Sequence, residues 1–156
     1  MIPVALAVAM TVHAAGSANA DARHDARVES PAATSRNVSE MKIRMNFEGK
    51  VITGTLVNTE TARDFASLLP LTLTLKDYSG TEKISDLPRR LCTKGAPEGS
   101  VPSVGDIAYY APWGNLALFY KEFRYSSGLI TLGTLDSGVE LLRGRDPVKV
   151  TIELVK

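Results

Sequence analysis

Three stretches of this chain alternate apolar and polar residues one by one, and that period of two limits the fold more than any other feature. They are Met41-Lys42-Ile43-Arg44-Met45-Asn46-Phe47, Leu71-Thr72-Leu73-Thr74-Leu75-Lys76, and Val148 to Val155 with Val148, Val150, Ile152 and Leu154 on one side. A helix repeats every 3.6 residues, so such a pattern buries one face only as a strand. Glu48-Gly49 supplies a tight turn, and the β-branched run Lys50 to Val57 returns from it, which predicts a hairpin. Further strands are predicted over Ile107 to Ala111, Leu116 to Tyr120 and Leu129 to Leu135.

One helix interrupts the series. Ala62, Phe65, Ala66 and Leu69 fall at i, i+3, i+4 and i+7, which predicts a helix over Thr59 to Leu69, capped by Asn58 and ended by Pro70. Glu82 to Ser103 carries Pro88, Pro97, Pro102, Gly95 and Gly99 and reads as loop, with a short helical turn over Pro88 to Leu91. Seven or so short strands and one helix imply a mainly β fold, a closed barrel with one covering helix.

The first forty residues read differently. Ile2 to Val12 is predominantly apolar, and Ala18-Asn19-Ala20 before Asp21 matches the A-x-A pattern of signal-peptidase cleavage. The run is about half the roughly twenty residues a membrane-spanning helix needs. No Lys or Arg precedes it, a departure from the usual n-region. Residues 1–20 are therefore expected to be a signal peptide, residues 21–40 a flexible leader too poor in apolar side chains to fold, and 41–156 the barrel. The expected location is periplasmic or extracellular, in a bacterium.

Subtracting that leader removes both histidines, His13 and His24, so Met41 to Lys156 contains none. Ser-His-Asp hydrolysis, Cys-His proteolysis and His-ligated metal centres are excluded there. A single cysteine, Cys92, can form neither an internal disulfide nor a cysteine zinc site. Although Arg89, Arg90 and Lys94 surround it, no histidine serves it as a base, and it reads as a structural thiol. The same three cations are a weak signal for an anionic partner. Neither G-x-G-x-x-G nor G-x-x-x-x-G-K-[ST] occurs, so no nucleotide cofactor is expected, nor any metal. The formal charge of +1 argues against a nucleic-acid partner. Asp136, Glu140 and Asp146 lie near turns and read as solvated surface.

The informative stretch is Val104 to Tyr125, which holds Tyr109, Tyr110, Trp113, Phe119, Tyr120, Phe123 and Tyr125, seven of the ten aromatic residues. Aromatics with a polar tip suit a groove for an extended or proline-bearing ligand, and they equally fill a barrel core. The ligand-binding candidates are Tyr110, Trp113, Tyr120 and Arg124.

The segment Gly105-Asp106-Ile107-Ala108-Tyr109-Tyr110-Ala111-Pro112-x-Gly114-Asn115-Leu116-Ala117-Leu118-Phe119-Tyr120, followed by Gly128-Leu129-Ile130-x-Leu132-Gly133, resembles the bacterial cyclophilin-like fold proteins. So do the opening hairpin, the Asn58 to Leu69 helix and Leu87-Pro88-Arg89-Arg90-Leu91. The resemblance implies a closed β-barrel. Cyclophilin isomerases carry S-Q-F-F where this chain has Ala117-Leu118-Phe119-Tyr120, and their F-H-R-I arginine motif has no counterpart. The expectation is an exported module that binds a peptide or small ligand, without established catalysis. The alternative is a weak peptidyl-prolyl isomerase aiding exported proteins, with Arg124 or Arg44 stabilising the twisted amide. A third reading is an interaction subunit.

Overall fold

The structure, a computed structural model, describes residues 40–156 apart from Arg145. The expected signal peptide and nearly all of the expected leader lie outside the described residues.

In chain order the elements are β1 (Met41–Phe47), β2 (Lys50–Leu56), α1 (Glu60–Ala66), β3 (Leu71–Tyr78), β4 (Glu82–Asp86), β5 (Gly99–Ser100), β6 (Asp106–Tyr110), β7 (Asn115–Phe119), β8 (Ser126–Ser127), β9 (Leu129–Leu135), a 3-10 turn (Val139–Leu142) and β10 (Val148–Leu154). Eight strands close into an antiparallel barrel in the order β1-β10-β3-β4-β7-β6-β9-β2, with β2 returning to β1. Closure leaves no unpaired edge in the main sheet. The short strands β5 and β8 pair separately.

Alternation decides which side chains enter the barrel. Ile43, Met45, Phe47, Leu73, Leu75, Leu116, Leu118, Val148, Val150 and Ile152 belong to one buried cluster, and an eight-stranded barrel is just wide enough for such side chains to fill it. The β1–β2 hairpin turns at Glu48 and Gly49, both at positive φ. Gly133 is required by a close approach, since a Cβ there would collide with the Thr55 carbonyl oxygen and Leu56 Cα of the neighbouring β2.

The helix is shorter than its sequence pattern. It ends at Ala66, and Leu68 and Leu69 make tighter turn bonds back to Phe65 and Ala66 before Pro70. Its cap is Thr59 rather than Asn58: the Thr59 hydroxyl accepts from Ala62 N at 3.2 Å, while Asn58 Oδ1 accepts from Arg63. Ala62, Phe65 and Ala66 join the barrel core, as the stripe predicts.

Glu82 to Ser103 departs most from expectation. It begins with β4, which pairs with both β3 and β7, and Pro88 to Leu91 forms no helical turn. β4 was hidden because its inward side chain is Lys83, 1% exposed, and its outward pair is Glu82 and Ile84. Polar residues on both faces erase the apolar signal. Apart from the short strand β5, the rest of the segment is loop, tied to α1 by the bidentate Arg89–Asp64 pair at 2.6 and 2.9 Å and to β6 by Leu91 N donating to Tyr109 Oη.

Candidate functional site

The outer face of the barrel carries a second, smaller apolar cluster. Ala108, Ala117, Phe119 and Leu129 are buried there, with Ile84 and Tyr110 packed against them. These are the outward positions of β6, β7, β9 and β4. Outward residues of a barrel ordinarily meet water; these are covered by the segment around β5 and β8, which brings Phe123 and Ser126 over them. A cavity of about 180 Å³ remains, also lined by Tyr78, Glu82, Trp113 and Asn115.

Hairpin register explains the lining. Ser79-Gly80 turns β3 into β4, and Tyr78 lies directly across from Glu82. Across the next pair, Glu82 faces Phe119, Ile84 faces Ala117, and Asp86 faces Asn115; Asn115 in turn lies opposite Tyr110. Trp113, in the β6–β7 turn, stands edge-on to Tyr78 at 5.5 Å and to Tyr110 at 5.3 Å between ring centroids. It is 55% exposed, so the indole forms a wall of the cavity rather than part of the core.

Two polar groups stand out in this lining. Burial, with the nearby Asp77 carboxylate, pushes the Glu82 carboxyl up to about 7. The Asn115 amide is fully buried; its Nδ2 donates weakly to the Leu116 carbonyl at 3.5 Å, and its Oδ1 has no partner among the described residues.

Of the four residues singled out from sequence, Tyr110 and Trp113 meet in this cavity. Tyr120 follows Phe119 and turns the opposite way. It is buried in the barrel core, where its hydroxyl donates to Asp77 Oδ1 at 2.5 Å, which with burial pushes its pKa up to about 12. Arg124 lies outside the lining, with its guanidinium 5.4 Å from the centre of the Phe123 ring. Residues 122–125 form no strand. Sequence reasoning missed Tyr78, Glu82, Asn115 and Phe123. The available signal was the Ser79-Gly80 turn, which puts Tyr78 across from Glu82 once β4 is admitted as a strand.

The remaining candidates serve the frame. Arg89 holds Asp64, whose carboxyl is lowered to about 2 chiefly by that hydrogen bond, and Arg90 donates to the Ala111 carbonyl at 2.7 Å. Cys92 Sγ donates to Glu60 Oε1 at 3.2 Å. Arg44 pairs with Glu153 at 2.8 Å on the outside of β1. Among the described residues no group of three or more His, Cys, Asp or Glu could hold a metal ion, and no helix is long and apolar enough to cross a membrane.

A family model described as the cyclophilin-like family matches residues 45–153, which is nearly the whole barrel. The chain belongs to the cyclophilin-like family. Solved structures agree on the fold. This cyclophilin-like barrel is similar to the hypothetical protein AF2241 from Archaeoglobus fulgidus, with a TM-score of 0.56, 23% identity, and 74% of this chain and 95% of that one covered. It is also similar to McbB, solved in complex with tryptophan, with a TM-score of 0.54, 12% identity, and 71% of this chain but 44% of McbB covered. No functionally curated protein matches the sequence.

Proposed function

We propose that this cyclophilin-like protein is a binding module that takes a peptide side chain or small organic ligand in the groove on the outer face of β3, β4, β7 and β6. One observation carries the reading: a cavity walled by Tyr78, Tyr110, Trp113, Phe119 and Phe123 sits outside a barrel whose interior is already filled. Concave, largely apolar sites with a few polar groups are where small ligands bind. At about 180 Å³ the cavity is small beside the roughly 300–1,000 Å³ of drug-sized pockets, so it suits one side chain or one small molecule. McbB, of which 44% matches this fold, has been solved in complex with tryptophan.

The isomerase alternative has less support. The arginines that sequence offered for a twisted amide, Arg124 and Arg44, both lie outside the lining, which holds no arginine, lysine or histidine. Export to the periplasm or the medium is part of the proposal and rests on the sequence of residues 1–20. An N-terminus at Asp21 in protein recovered from the native host would support it.

Titrating the full chain with a panel of short peptides and aromatic or aliphatic small molecules, while following the fluorescence of Trp113, tests the main reading. The expected outcome is a saturable change with some members and no acceleration of Ala-Pro isomerisation in a protease-coupled assay. Folded protein whose fluorescence no panel member alters would defeat the binding reading.

A further inference from the structure

The groove is polar at both ends and apolar between them. At one end stands the Glu82 carboxyl, half-buried, with no hydrogen bond or ion pair to another described residue. At the other end is the Asn115 amide oxygen, 2% exposed as a residue and likewise unpartnered. Ile84 and Ala117, paired with each other, form the floor between them. Glu82 is paired with Phe119, which is four residues from Asn115 along β7, or about 13 Å of strand. One small donor cannot satisfy both groups. Both are acceptors when Glu82 is ionised; Asn115 Oδ1 is buried without a donor, which is unfavourable, and Glu82 is half-buried. Tyr78 and Tyr110 flank the two ends, and Trp113 joins them edge-on. Aromatic rings attract an ammonium through the negative charge of their faces.

We propose that the groove recognises an alkylammonium ligand with a second N–H donor, its ammonium on Glu82, its alkyl chain over Ile84 and Ala117, and its second donor on Asn115 Oδ1. The inference rests on the groove being a binding site and names what it binds. Two sources share this chemistry: a free aliphatic diamine, and a lysine residue of a peptide, whose backbone N–H supplies the second donor.

The electrostatics of the groove are consistent with a cationic guest. Burial and Asp77 act together to keep Glu82 protonated up to about pH 7, and no cation among the described residues offsets them. An arriving ammonium does so, and the carboxyl gives up its proton. The other titratable and charged groups facing Glu82 are Tyr78 across the hairpin, Tyr110 in the same lining, and Asp77 and Tyr120 from the interior, with Lys83 on the far side of the same strand. Asp77 is held below its ordinary value and Tyr120 far above 7, so neither changes charge near neutrality. Affinity for the amine therefore rises as pH increases through 7.

The test titrates the full chain by calorimetry and Trp113 fluorescence with 1,5-diaminopentane and acetyl-Gly-Lys-Gly-amide. Their neutral counterparts are 1,5-pentanediol and acetyl-Gly-norleucine-Gly-amide. The amines are expected to bind at least about tenfold more tightly than the neutral probes at pH 8, as charge-assisted hydrogen bonds imply. Glu82→Gln, nearly isosteric, removes that advantage. A tighter peptide assigns the ammonium to lysine, and a tighter diamine assigns it to the free amine; either supports the proposal. Equal binding of neutral and charged probes, or an unaffected Glu82→Gln, overturns the amine assignment while leaving the groove as a binding site. If none of the four probes binds, both fall.

Discussion

The two apolar clusters of this barrel treat their buried polar groups in opposite ways. Inside, Lys83 is answered by Asp77 at 3.3 Å and Asp146 at 3.9 Å, and Asp77 also accepts from the Tyr120 hydroxyl and from Gly80 N. Outside, Asn115 Oδ1 is buried without a partner among the described residues, and the half-buried Glu82 has no ion pair there. Lys83 and Glu82 are chain neighbours, separated only by the pleat of β4. Where a protein needs stability it closes its polar networks, because unpaired groups in low dielectric are costly. A site left open in otherwise well-satisfied structure is where a ligand can complete the set.

The comparison is broken most directly on β7, where Leu118 points in and Trp113, in the turn before the strand, walls the groove. Leu118→Ala should lower the unfolding free energy by about 3 kcal/mol, as buried leucine truncations do, measured by urea unfolding. A loss below about 1 kcal/mol would mean that the interior is not the source of stability. Next, Tyr120→Phe removes a hydrogen bond to a carboxylate and should cost about 1.5 kcal/mol in the same measurement. An unchanged midpoint would place Tyr120 outside the interior network. Trp113→Ala, altering a side chain that is mostly in water, should shift stability by less than about 1 kcal/mol while abolishing ligand binding by calorimetry. Loss of stability without loss of binding would reverse the assignment of the two clusters.

Two pH slopes of opposite sign sharpen the same comparison. Glu82 binds its proton more tightly folded than unfolded, so its contribution is full below about 4.5 and is lost as pH rises through about 7. Glu82→Gln should flatten thermal stability across that interval. Asp64 is the reverse: held at about 2 by Arg89, it contributes above 3.8 and loses that contribution as pH falls toward 2. Asp64→Asn should flatten only the acid limb. If Glu82→Gln leaves the neutral limb unchanged, the groove carboxyl is better solvated than its surroundings imply.

Strands with one clean apolar face were legible from the sequence. β1 and β9 have the ranges their residues predict, and β10 differs by a single residue. The helix was legible by its stripe and not by its end, because Leu69 still fits the stripe while Pro70 already draws the chain away. β4 was illegible for a reason tied to function. Its inward Lys83 is a buried lysine answered by Asp77 across the hairpin and by Asp146 far along the chain, and a lysine there gives no apolar signal. Its outward residues serve a groove built from four other segments. Half of the proposed site suffered likewise: Tyr110 and Trp113 stood out as aromatics, but Tyr120 resembled them and faces the other way.

Alternation, turn residues and helical stripes act between near neighbours, so the amino-acid order alone was enough to specify strands, hairpins, one helix and a β-barrel without histidine chemistry. Which strand lies beside which, and therefore that Glu82, Asn115, Tyr78 and Trp113 share one cavity, depends on pairings that span the chain. Those pairings arise only when the sheet closes. Closure packs one set of side chains inside to full density and leaves the other set to make, on the outer face, the groove in which a ligand would bind.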